Sequence, residues 1–158
     1  DRGGRLYIIG HGPIRNLLKR EIEKRNLTNV IILTGYLPRI KAYELLAKSQ
    51  VVIFPLKERR YINMELMCPV KILTYAMLGK AMVLDNVSEL CKIFKENDAA
   101  LVSDPSDSEK FVENVKALLD NEHLRKRLSK NAKRLIKDFY WEKLLKKLVD
   151  IYENSIMC

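Results

Sequence analysis

The chain has 158 residues, 47% of them apolar, enough for one globular domain with an ordinary core. No apolar run approaches the roughly 20 residues that cross a bilayer, Asp1-Arg2-Gly3-Gly4-Arg5 lacks the apolar stretch of a signal peptide, and Cys68, Cys91 and Cys158 form neither a CxxC pair nor a metal-ligand cluster; a soluble cytoplasmic protein without a structural metal is expected. The formal charge of +9 favours an anionic partner, whether nucleic acid, lipid headgroup or phosphorylated substrate.

Leu6-Tyr7-Ile8-Ile9 reads as a strand closed by Gly10-His11-Gly12-Pro13, after which Ile14, Leu17, Leu18 and Ile22 follow helical spacing. Val30-Ile31-Ile32-Leu33 repeats the strand signal and ends at Gly35. Leu37-Pro38 opens a second helix through Ala42, Leu45, Leu46 and Ala47, and Val51-Val52-Ile53-Phe54 ends at Pro55. The segment from Pro55 to Cys68 is long for a strand-to-helix loop, and such loops are often functional. Pro69 then suits a helix start and Gly79 a helix end, and Ala81-Met82-Val83-Leu84 follows as a strand. A short helix from Glu89 to Lys95 precedes a fifth strand, Ala99-Ala100-Leu101-Val102. Three helices follow, marked by Phe111 to Leu119, Leu124 to Ile136 and Trp141 to Tyr152, the first behind a capping box at Ser106-Asp107-Ser108-Glu109.

Continuous apolar strands alternating with helices predict an α/β fold: a Rossmann-like parallel sheet of about five strands, covered by helices on both faces and followed by a C-terminal helical run. In such a sheet, ligands bind beyond the carboxyl ends of the strands. The Gly10 turn, the Gly35 turn, the Pro55–Cys68 loop and the Asp85-Asn86 segment are all expected on that rim.

Several residues there suit a phosphorylated ligand. The amides of Gly10, His11 and Gly12 can approach a phosphate, although a G-x-G turn is often only a tight turn, and a lone histidine such as His11 in an exposed turn is more often a solvated side chain. The third glycine of a dinucleotide fingerprint is missing, which disfavours NAD. Lys71 falls in the first turn of the Pro69 helix, where the macrodipole disfavours a cation, so a bound anion explains it better than helix stability does; the alternative is a lysine reaching water from a half-buried helix. Glu65 can accept hydrogen bonds from sugar hydroxyls or be a solvated loop carboxylate, and Glu89 is placed to close a cap with Asn86. No hydrolytic triad, H-E-x-x-H or Walker lysine pattern is present, leaving catalytic residues unassigned. Basic clusters such as Arg125-Lys126-Arg127 fit a solvated helix face, and the lack of interleaved aromatics counts against nucleic acid.

Leu6 to Pro13, Val30 to Leu37, Val51 to Pro55, the P-x-K pattern from Pro69 with Gly79-Lys80, Asn131-Ala132 and Tyr140-Trp141-Glu142 together resemble the C-terminal, donor-binding domain of retaining glycosyltransferases of the GT-B fold, family 4 group. The likeness covers nearly the whole chain. It implies a nucleoside-diphosphate sugar donor, with the base at Gly35, Tyr36 and Leu37 and the phosphates at Pro69, Val70, Lys71 and onward to Thr74; no resident cofactor or metal is implied. The group carries two glutamates with seven residues between them, and this chain has Leu66 and Thr74 there, which puts donor affinity or nucleotide choice in question. The resemblance further implies an N-terminal acceptor domain that this chain lacks, no turnover by this domain alone, and an exposed apolar patch on the last helix, which typically crosses toward the other lobe. The basic charge suits an acceptor on anionic membrane lipid. A non-catalytic binding subunit and a nucleotide-sugar epimerase are the alternative functions.

Overall fold

A computed structural model describes residues 3–56 and 68–156. The chain forms two compact units, Asp1–Leu45 and Leu46–Cys158. Glu65 and Leu66 lie outside the described residues.

The first unit contains β1 (Leu6–Ile9), α1 (Arg15–Lys24), β2 (Ile31–Gly35) and most of α2 (Arg39–Lys48). The two strands pair in parallel, Leu6 against Ile31, until a bulge between Ile8 and Ile9 brings Ile9 opposite Gly35. α1 ends because Asn26 turns left-handed at φ 56°, letting Asn26 N–H reach the Glu23 carbonyl and Leu27 N–H the Ile22 carbonyl. Asparagine takes that conformation more readily than most residues, and the paired bonds satisfy the helix-end carbonyls.

The second unit contains β3 (Val51–Phe54), α3 (Val70–Met77), β4 (Ala81–Asp85), α4 (Glu89–Glu96), β5 (Leu101–Ser103), α5 (Ser108–Asp120) and α6 (Glu122–Leu135). A 3-10 turn, Ile136–Phe139, leads to α7 (Trp141–Ile156). β4 is the middle strand, parallel to β3 on one edge and β5 on the other. Val52, Met82 and Leu84 join one core with Ile72 and Ala76 of α3, Phe94 of α4 and Ala132 of α6. Ala81 and Val83, one residue out of phase, join another with Leu118 of α5 and Leu128 of α6. Period-two alternation thus sends β4 side chains into cores on both sheet faces, which is why β4 is buried along its whole length. Each fully buried large side chain contributes about 1.5–3 kcal/mol.

The five expected strands exist and every pairing is parallel, but they form a two-stranded sheet, β1–β2, and a three-stranded sheet, β3–β4–β5, one in each unit. Two predicted caps also change. Asp107, not Ser106, caps α5 by accepting from Lys110 N–H at 2.8 Å, because Ser106 instead donates its hydroxyl to Asp104. Ser88, not Asn86, caps α4 by accepting from Cys91 N–H at 3.4 Å, and Glu89 pairs with Lys92 at 3.0 Å.

Candidate functional site

In the first unit the two glycine turns meet. Gly10 N–H donates to the Gly35 carbonyl at 2.9 Å, and both glycines hold positive φ, 126° and 69°, a conformation that L side chains adopt at a cost. Thr34 tightens the junction by donating its hydroxyl toward the Ile8 and Gly35 carbonyls, at 3.3 and 3.0 Å. His11 is exposed, Gly12 accepts from Arg15 N–H at 3.1 Å, and Leu37 is half-buried. Tyr36 is 82% exposed, so its ring is open to a ligand or to water.

Arg15 escaped the sequence reading. It is the first residue of α1, directly behind the glycine turn, and its Nε is buried without a hydrogen-bond partner among the described residues. The available signal was a cation in a first helical turn, the feature that singled out Lys71. A cavity of about 230 Å³ lies nearby, lined by Arg15, Lys19 and Glu23 of α1 and by Ile31 and Leu33 of β2. None of the residues expected to bind donor lines it.

In the second unit α3 begins as expected, one residue later. Pro69, at φ −67° and ψ 98°, is the cap rather than the first helical residue, and Ile72 N–H closes the first bond on its carbonyl at 2.9 Å. The first turn has no capping side chain and no acidic residue, and Lys71 is its one charged side chain. Lys71 and Val70 are exposed, and Lys71 makes no ion pair with any described residue. Thr74 donates its hydroxyl to the Val70 carbonyl at 3.1 Å, which occupies its proton and leaves its lone pairs as acceptors.

The far end of α3 closes on Gly79 at φ 62°. Gly79 N–H bonds the Ala76 carbonyl and Lys80 N–H the Tyr75 carbonyl, the paired pattern of a glycine C-cap. Lys80 reaches back to donate to the Ala47 and Ser49 carbonyls at 2.5 and 3.0 Å, and burial first, then the charge of Lys133, lowers its pKa. Lys80 therefore fixes the entry to β3 and is not a ligand-facing cation.

At the carboxyl ends of this sheet Asp85 is only 5% exposed and accepts from Leu56 N–H at 2.5 Å. Burial raises its pKa, and the bond from Leu56 opposes the shift. Asn86 N–H donates to the Ser103 carbonyl at 2.8 Å, tying the end of β4 to that of β5. Among the described residues no cluster of three or more His, Cys, Asp or Glu side chains could hold a metal.

α7 bears the expected apolar exposure: Trp141, Leu145, Leu148, Ile151 and Tyr152 are each between 49% and 73% accessible. No helix among the described residues is long and apolar enough to cross a membrane.

Comparison with known proteins agrees with this architecture. The sequence profile of the glycosyl transferases group 1 family matches residues 3–135. An alpha-D-kanosaminyltransferase of Streptomyces kanamyceticus is 25% identical over 131 residues, 83% of this chain and 32% of that protein. The O-antigen chain mannosyltransferase C of Escherichia coli is 24% identical over 150 residues, 94% of this chain and 38% of that protein. The crystal structure of Anabaena Alr3699/HepE in complex with UDP superposes with a TM-score of 0.76 at 13% identity, over 96% of this chain and 41% of that one. The chain thus spans about a third of the length of the curated relatives it matches. Its fold is the C-terminal-type domain of GT-B glycosyltransferases, and with the family profile covering most of its residues, this chain belongs to the group 1 glycosyl transferases.

Proposed function

We propose that the chain is the donor-binding half of a glycosyltransferase that takes a sugar from a nucleoside diphosphate and passes it to an acceptor held elsewhere in a larger enzyme. The observation that carries this is the start of α3, where amides without a capping side chain stand beside Lys71, which has no ion pair among the described residues, and no acidic residue lies in the first turn. A diphosphate supplies the missing negative charge. As the sugar leaves, charge accumulates on the diphosphate, and fixed amides with one ammonium stabilise it without reorganising. The UDP in the Anabaena structure supports a uridine donor as the first to test.

In this reading the accessible apolar face of α7 is covered by the remainder of a longer polypeptide, and the domain alone does not turn over. The acceptor sits on an anionic lipid surface, in keeping with the net charge of +9.

Titration calorimetry with UDP, GDP and their sugars tests the donor site. Binding that Lys71→Ala weakens by about tenfold, as expected for loss of one charge-assisted contact, supports it. No heat with any nucleotide, or affinity indifferent to Lys71→Ala, sinks it. One observation favours a non-catalytic binding subunit instead: Thr74 offers only a hydroxyl, already bonded to Val70, where the resembling group has a carboxylate. Strong sugar transfer by the full-length protein with Thr74 unchanged removes that alternative.

A further inference from the structure

α6 carries the largest net positive charge among the described helices, six Lys or Arg against one Glu. Leu124, Leu128, Ala132 and Leu135 recur at helical spacing, and Leu128, Ala132 and Leu135 are buried against the sheet. At 3.6 residues per turn, the opposite side collects Lys126, Lys130, Lys133 and Arg134, and Lys137 continues it into the 3-10 turn. All five are exposed. From Lys126 to Lys137 the row runs about 16 Å at 1.5 Å per residue.

Neutralisation along this row is sparse. Glu122 pairs with Lys126 at 2.7 Å, and Asp98 takes the flanking Arg127 at 2.9 Å. Asp138, the acid nearest the far end, is engaged by Lys143 at 2.6 Å. Lys130, Arg134 and Lys137 have no ion pair with any described residue. Lys126 and Lys130, Lys130 and Arg134, and Lys133 and Lys137 are each four positions apart, where like charges repel along a helix. The helix macrodipole favours cations only in the last turn, so it does not account for Lys126 and Lys130.

We propose that this face of α6 docks on an anionic lipid bilayer surface. The proposal rests on the reading of a membrane-carried acceptor given above and assigns the contact to one helix. A lipid surface fits better than nucleic acid for two reasons. Four of the five charges are lysine, a point charge suited to diffuse headgroups rather than to planar bidentate recognition. No aromatic side chain lies in the row on which a base could stack. Gly79, which meets Lys133, is at the end of α3 away from Pro69 and Lys71, so docking leaves the donor site free.

The test is co-sedimentation of the full-length protein with phosphatidylcholine vesicles with and without 30% phosphatidylglycerol, for the native chain, for K130E/R134E/K137E and for K130R/R134K/K137R. Circular dichroism confirms that each variant is folded. Expected are binding that needs phosphatidylglycerol, a loss of at least tenfold between 50 and 300 mM salt, a similar loss in the charge-reversed variant, and retention in the charge-conserving one. UDP affinity measured on the same proteins should be unchanged by reversal, so failure of the lipid contact is separable from failure of the donor reading. Equal binding to neutral vesicles, or anionic binding untouched by reversal, overturns the proposal. So does tighter binding to an RNA oligonucleotide than to vesicles at equal phosphate concentration. If the reversed variant does not fold, the charge-neutralised K130Q/R134Q/K137Q takes its place, with weakened anionic binding expected and unchanged binding overturning the proposal.

Discussion

The Asp85 carboxylate does the work of a strand carbonyl for Leu56. Pro55 has no N–H with which to continue the β3–β4 ladder beyond Phe54 and Leu84, and the next amide, Leu56, is taken instead by Asp85 Oδ2 at 2.5 Å. The side chain is 5% exposed. Its carboxylate is therefore largely withdrawn from water while it satisfies that amide.

That arrangement makes a signed pH prediction. Burial raises the folded-state pKa of Asp85 above its ordinary value of 3.8, so its contribution to stability is fully present below about pH 4 and is lost as pH rises through the folded pKa. Asp85→Asn keeps an oxygen for Leu56 and removes the buried charge. Thermal melts should show the variant more stable at pH 7, with Tm higher by about 2–4 °C for each kcal/mol relieved, and the gain should vanish near pH 4. Asp85→Ala, which orphans the Leu56 amide, should cost about 1–3 kcal/mol.

At the end of α3, Gly79 combines a left-handed φ of 62° with the Lys133 stem lying where a Cβ would be. Gly79→Ala should destabilise by about 1–2 kcal/mol from the backbone alone, with a further steric part. Lys133→Ala in the same chain should recover the steric part only. Urea denaturation of the two single variants and the double variant separates these contributions; full recovery would place the whole cost in the side-chain clash.

Asn131 fastens α6 to the turn after α4. Its amide donates to the Asp98 carbonyl at 2.8 Å and to the carboxylate at 3.2 Å, while Asp98 itself holds a positive φ of 48°. Asn131→Ala should cost about 1 kcal/mol by removing these two hydrogen bonds. Hydrogen exchange should show faster opening around Asp98 with little change at α3.

Thr74→Glu separates two uses of one position. Replacing the hydroxyl bonded to Val70 by a carboxylate should tighten donor binding by about tenfold if ribose lies there, because charge-assisted hydrogen bonds are roughly twice as strong as neutral ones. Calorimetry with UDP reads the result directly. An unchanged or weakened affinity would place the ribose elsewhere.

The apolar face of α7 gives opposite expectations for the domain and the whole protein. In the isolated 158-residue chain, Leu145→Glu with Leu148→Glu should reduce self-association measured by sedimentation, since both side chains are 49% and 62% exposed. Under the proposed function, in which the remainder of a longer polypeptide covers α7, the same pair introduced there should lower Tm by burying two charges.

Element order was legible because its signals are local. Each strand run is apolar, and all but the fifth have glycine or proline close by, and the Pro69 and Gly79 bracket survives in α3 with only a one-residue shift at its start. The meeting of the Gly10 and Gly35 turns also follows from two adjacent parallel strands. The caps at Ser88 and Asp107 were misplaced because several hydroxyl and carboxylate side chains compete within a few residues, and only the backbone angles choose among them.

What the sequence by itself determined is the alternation of strand and helix, the basic character of α6, and a cation placed against the macrodipole at Lys71. Tertiary structure alone decided that the strands divide into sheets of two and three, that Lys80 serves the Ala47 and Ser49 carbonyls, and that Asp85 serves Leu56. The reason is range. Periodicity and capping act over a few residues, whereas these bonds join positions about 30 residues apart, and a polar side chain takes such a partner only when burial withdraws water.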